Sequence, residues 1–130
     1  MSTADRVMQS YGRCCASPDF FDSFYRHFLA SSPEVREKFA NTEMNGQKLL
    51  LRQGILNLVM HARGMPDTKL RALGCSHSRA AMDIRPELYV LWQQALLQTI
   101  GEHDQQYCNE TRNAWNEVLD KGIAVIKAGY

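Results

Sequence analysis

At 130 residues, 45% of them hydrophobic, the chain is long enough for one domain with a core that needs no disulfide or metal staple. Fifteen basic residues against fourteen acidic ones leave a net charge of +1, spread along the chain, which excludes the basic stripe that nucleic acid demands. No apolar run approaches the ~20 residues of a membrane span, and the start Met1-Ser2-Thr3-Ala4-Asp5-Arg6 has neither the basic opening nor the apolar centre of a signal peptide, so a cytoplasmic location is expected.

The pattern predicts six or seven helices. No alternating apolar run of strand length occurs, and the one Asn-Gly pair, Asn45-Gly46, opens a helix rather than a hairpin. A first amphipathic helix covers residues 4–16, with Val7, Met8, Tyr11 and Cys14 or Cys15 on one side. Ser17-Pro18-Asp19 supplies a cap and a proline for a second helix running to about Ala30. Phe21, Phe24/Tyr25 and Phe28 recur on it at three and four, a single aromatic stripe that alone reads more readily as core than as the wall of a cofactor site.

Ser31-Ser32-Pro33 repeats the start signal and opens two turns of helix ending at Phe39. After Ala40-Asn41-Thr42 comes the longest pattern, in which Gln47, Leu51, Gly54/Ile55 and Leu58 share a face. Gln47 heads an otherwise apolar stripe, which fits either an edge residue or a polar group turned into a site. Gly54 costs ~1 kcal/mol against alanine inside a helix, so a close crossing of another helix is expected there.

Gly64-Met65-Pro66-Asp67 breaks the chain before a short segment from Pro66 to Cys75. Leu73 and His77 stand four apart and can face one partner if the turn continues. An imidazole held beside an apolar face is what a flat iron macrocycle requires on one side. Residues 78–85 form a connection of a length common at binding pockets. Pro86-Glu87 starts a helix to about Glu102 that is hydrophobic nearly all round and should cross the interior. The last helix runs from about Glu110 to Lys127, with Trp115, Val118, Leu119, Ile123 and Ile126 inward.

Hydrolytic and phosphoryl-transfer schemes find no support, for no G-x-S-x-G, Walker A, H-E-x-x-H or kinase signature is present. Cys14, Cys15, Cys75 and Cys108 show no C-x-x-C spacing and read as free thiols. Zinc held by Cys75 and His77 would need two further ligands.

The order of these pieces resembles the globin superfamily, in its bacterial single-domain and truncated branches, over nearly the whole chain. The residues carrying it are Phe24-Tyr25 with Phe28, Ser32-Pro33-Glu34-Val35-Arg36, Phe39, Thr42-Glu43-Met44 with Gln47, Leu73 with His77, and Pro86-Glu87-Leu88-Tyr89. Such a resemblance implies an all-α, globin-like helical sandwich enclosing a haem pocket. It implies a short connection after the third helix without a separate further helix, and a single domain over residues 1–130.

It implies His77 as the iron ligand, Phe39 as the aromatic wedged on the porphyrin edge, and Tyr25 and Gln47 as polar groups on the ligand side. Leu51 and Trp92 would border the ligand space, Leu73, Ile84 and Tyr89 the macrocycle, and Arg79, with Lys48 and Arg85, the propionates. Ser76 and the backbone near Leu73 are the expected acceptors for the second ring N–H of His77. Without a C-x-x-C-H attachment site the haem b would be held non-covalently.

The implied function is reversible binding of O2, with NO and CO as further ligands, and the implied partners include neither membrane nor nucleic acid. In flavohaemoglobin-type relatives a tyrosine and a glutamate bond the proximal histidine. Tyr89 fills the tyrosine place if two extra residues sit in the connection after His77, while the glutamate place falls at about Tyr130. A tyrosine in the glutamate place argues against a fully activated, peroxidase-like iron, and with no flavin or nicotinamide domain in these 130 residues, turnover of NO with O2 would draw electrons from a separate reductase. A redox-sensing helical module without haem, in which His77 is structural and the cysteines matter, is the third reading.

Overall fold

The computed structural model describes residues 1–130 as seven helices and no strand. They are α1 (Thr3–Cys15), α2 (Phe20–Ser31), α3 (Pro33–Lys38), α4 (Met44–Ala62), α5 (Thr68–Ser76), α6 (Glu87–His103) and α7 (Asn109–Lys127). Residues 39–43 join α3 to α4 with turns and no further helix. None of the helices is long and apolar enough to cross a membrane.

Local chemistry sets the helix starts. Ser2 Oγ accepts from the Asp5 N–H at 3.1 Å, and Ser32 Oγ from Val35 N–H at 3.1 Å, each satisfying an amide that has no helical partner. Pro33 follows in the first turn of α3, where its missing N–H costs nothing. The Glu43 carboxylate caps α4 by accepting from Asn45 and Gly46 N–H at 2.6 and 2.9 Å. The Ser17 cap expected for α2 is not formed: the helix starts at Phe20, and Ser17 Oγ is 2.7 Å from His103 Nδ1 on α6 instead. A tertiary partner has drawn the hydroxyl away.

Helix α6 lies along α2, and α7 packs on α1, α4 and α5. Trp115, Phe20, Phe24, Ile55, Leu96, Ile100 and Leu119 are fully buried between them. Of the cysteine pair, Cys14 faces this core, where burial pushes its thiol up to about 12, and Cys15 is half-buried. One polar cluster is sealed in with the aromatics. Asp104, just past α6, accepts from Ser10 Oγ at 2.6 Å and from Arg13 Nε and Nη2 at 2.5 and 3.0 Å. Its Oδ1 also takes the Gln106 N–H at 2.9 Å, while Trp115 Nε1 donates to Ser10 Oγ at 2.9 Å. Every member is paired, as a buried charge requires.

The close crossing expected at Gly54 does not occur. A Cβ there would meet nothing within 4 Å, and the residue borders a cavity. The tight approach falls at Gly74 on α5, where a Cβ would lie 2.7 Å from the Ile126 carbonyl oxygen of α7. Backbone cannot swing aside as a side chain can. Gly74→Ala is therefore expected to lower unfolding free energy by about 1–3 kcal/mol in a urea titration. An open helical site would instead gain up to ~1 kcal/mol from the same change.

Candidate cofactor site

Between α2, α4, α5, α6 and α7 lies a cavity of about 620 Å³, within the range of small-molecule and cofactor sites. Its wall is mainly apolar: Phe28, Val35, Leu58, Leu70, Leu88, Ile123 and Ile126 are all buried lining residues. Tyr25, Phe39, Gln47, Leu51, Leu73, His77, Ile84, Tyr89 and Trp92 line it as well, so nine of the twelve side chains expected around the macrocycle converge on one space.

His77 closes the C-terminus of α5. Its N–H bonds to the Leu73 carbonyl at 2.9 Å, the last helical step, and its own carbonyl takes the Ile84 N–H at 2.9 Å as the connection returns. The ring is half-buried, which lowers its pKa below the ordinary histidine value and keeps it neutral at pH 7. Its Nδ1 stands 2.8 Å from the Tyr89 hydroxyl. Of the partners expected for this ring, Tyr89 is the one that meets it and Ser76 is not: Ser76 Oγ donates to the Leu73 carbonyl at 2.9 Å and is spent there. Burial also pushes the Tyr89 phenol up to about 12, so it stays protonated. The Tyr89 hydroxyl is placed to accept from Nδ1–H, and in that tautomer the imidazole lone pair sits on Nε2, the arrangement a metal-ligating histidine needs.

A second polar group comes from α2 and α4. Tyr25 is 5% exposed, and its hydroxyl donates to the main-chain carbonyl of Gln47, not to the side chain, at a long 3.3 Å. Burial raises this phenol up to about 12, leaving a neutral O–H donor inside an apolar wall. The Phe39 ring lies 5.8 Å from that of Tyr25 and 5.9 Å from that of Phe28, both edge-on. Phe24 continues the aromatic wall to Trp92 at 5.9 Å. The stripe on α2 is thus both core and cavity wall, since Phe24 faces one and Tyr25 and Phe28 the other.

The globin family model matches residues 22–126, most of the chain and all of the cavity wall. The chain belongs to the globin family. A crystal structure from Pseudomonas aeruginosa PAO1, of a protein described as structurally highly homologous to a human hemoglobin, is 69% identical to this globin. The two superpose with a TM-score of 0.98 over 99% of this chain and 98% of that one. No curated protein matches this globin.

Globins typically hold haem, and the residues fit it: a cavity of suitable volume, a mostly apolar wall, and one neutral imidazole among the lining groups. The cations expected at the propionates are placed elsewhere. Arg79 is exposed and lies over the Tyr130 ring at 5.1 Å, Lys48 pairs with Asp22, and Arg85 pairs with Glu34. None of the three lines the cavity; Lys38 and Lys69 do, together with Thr42, Gln53 and Asn57. Lys69 is one helical turn from Leu73 and two from His77, a spacing that could have found it, whereas nothing marked Lys38 beyond its position beside Phe39.

Proposed function

We propose that this globin holds haem b non-covalently with His77 as the iron ligand, and binds O2 reversibly, with NO and CO as further ligands. The observation that carries the reading is the His77 imidazole, neutral and hydrogen-bonded to Tyr89, lining an apolar cavity that also holds the protonated Tyr25 hydroxyl. Haem, when bound, would supply the iron that takes up a small gas. The chain supplies the rest. His77 offers its lone pair, Tyr89 fixes the tautomer and plane of the ring, and Phe39 and Leu73 exclude water. Tyr25 presents an O–H whose present acceptor, the Gln47 carbonyl, is far enough away to be exchanged for a polar ligand.

Addition of haemin to the purified protein, followed by reduction and CO, tests this. A sharp Soret band that shifts with CO is expected; a broad, unshifted band would refute it. Tyr25→Phe removes one buried donor worth ~0.5–1.5 kcal/mol, so O2 release measured by stopped flow should quicken by about 2- to 10-fold. Unchanged release would remove Tyr25 from the ligand side.

The Tyr89–His77 bond also favours a second reading. A hydrogen-bond partner on the far nitrogen raises the basicity of a ligating imidazole, which suits oxidation of NO by O2 to nitrate, with one electron returned by a separate reductase. Nitrate formed catalytically from NO only when a reductase is supplied would distinguish this from simple carriage.

A further inference from the structure

The turn that carries His77 is tied from outside the cavity. Residues 77–84 leave α5, run through Met82 and Ile84 at the cavity wall, and reach α6. Internal bonds fold this segment on itself: Met82 N–H to the Ser76 carbonyl at 3.1 Å, Asp83 N–H to the Ser78 carbonyl at 2.8 Å, and Ile84 N–H to the His77 carbonyl at 2.9 Å. Such folding requires Asp83 at φ +52°, the left-handed region, and it is the one non-glycine residue there. Aspartate tolerates that conformation better than most residues, though at a cost.

Tyr130 meets this strained turn. Its hydroxyl donates to Asp83 Oδ1 at 2.6 Å, its main-chain oxygen accepts from the Arg79 N–H at 3.4 Å, and the Arg79 guanidinium lies over its ring at 5.1 Å. Beneath it the backbones of α5 and the end of α7 touch, for a Cβ on Gly129 would lie 2.8 Å from the Gly74 carbonyl carbon. Three kinds of contact thus join one tyrosine to both ends of the 79–83 stretch. No lining residue of the cavity takes part in them, so they are not made by the site itself.

We propose that Tyr130, through Asp83 and Arg79, is a positioning latch that holds the His77 turn in its ligating geometry and slows loss of the cofactor. The retention half of this rests on the haem reading above; the latch itself does not. Without the latch, the turn keeps its internal bonds but loses the charged acceptor's partner and the cation's ring. Asp83 then has less to offset its backbone strain, and Ile84 and Met82 can leave the cavity edge. Arg79, which a propionate role would have aimed at the haem, instead acts on the outer side of the turn.

Two measurements on the full chain test it. Hydrogen exchange of the haem-free protein reads the latch alone. Tyr130→Phe should speed exchange at the Asp83 and Ile84 amides by about threefold or more while leaving α2 and α6 unchanged, the factor that one net hydrogen bond carries. Asp83→Asn, which keeps an acceptor oxygen and tolerates the same backbone, should stay close to wild type, and Asp83→Ala should match Tyr130→Phe.

Transfer of haem to an excess of a tight-binding apo-globin, followed by absorbance, reads retention. Tyr130→Phe should release haem about threefold faster or more, with Asp83→Asn again near wild type. Unaltered amide exchange in Tyr130→Phe would overturn the latch. Faster exchange with unaltered haem release would overturn its role in retention. A wild-type protein that takes up no haem would refute the haem reading and the retention claim together, while the exchange result would still decide the latch.

Discussion

His77→Ala is expected to abolish the sharp Soret band and to weaken haem uptake by more than about 100-fold, since losing only an outer partner of a ligating histidine costs about 10- to 100-fold. The imidazole is the only histidine side chain lining the cavity, so no neighbour can take its place at the iron. Fold loss would not explain the result. The substitution removes a half-buried side chain and leaves one hydroxyl, that of Tyr89, without its 2.8 Å partner. That deficit is worth ~1–3 kcal/mol, within what a domain of this size tolerates. Circular dichroism should keep the helical signal, and added free imidazole should restore part of the Soret band by filling the space. A variant that retained an unchanged spectrum would sink the axial assignment.

The largest expected loss of stability lies away from the cavity. Asp104→Ala removes a fully buried carboxylate that organises Ser10, Arg13, Gln106 and, through Ser10, Trp115. The partners left behind include a guanidinium whose side chain is mostly covered. Breaking such a pair from one side costs about 3–5 kcal/mol, much more than the pair contributes net. In urea the midpoint should fall with little change in slope.

The same residue gives wild type a pH dependence. Burial alone would raise the Asp104 carboxyl, but bonds from Arg13, Ser10 and the Gln106 N–H outweigh it and hold the group below the ordinary carboxylate range. Its folded pKa is therefore lower than its unfolded one. The stability it contributes is fully present above the unfolded value of ~4 and is lost as pH falls through the folded one. Unfolding free energy measured between about pH 5 and pH 3 should decline in wild type, and less steeply in Asp104→Ala. Equal slopes would mean that the carboxylate titrates alike in both states.

What could be read in advance was what repeats. The helices followed from the spacing of Val7, Phe24, Leu51, Leu96 and Leu119, and the shared space of Tyr25, Phe39, Gln47 and His77 from the family resemblance that their order carries. Contacts that depend on where a non-repeating segment turns could not be counted through. The Tyr89 pairing with His77 could be expected only on condition of two extra residues in the connection, and it forms because that connection folds back on itself between the His77 carbonyl and the Ile84 amide. Arg79 offered a cation near the right place, but charge alone does not say whether a guanidinium prefers an anion or the face of Tyr130. Gly54 and Gly74 look alike as helical glycines, and only the position of α7 separates them. Asp104 lies in a short turn with no period at all, so its burial had no linear signature.

The family match begins at residue 22, after the whole of α1. Yet Ser10 and Arg13 of that helix hold Asp104, and Val7, Tyr11 and Cys14 roof the core beside Trp115. A recombinant fragment trimmed to the matched borders would thus open a hydrophobic seam and strand an anion against it. Where the family model starts and where cooperative folding starts are different places in this protein, and the leading helix belongs to the second.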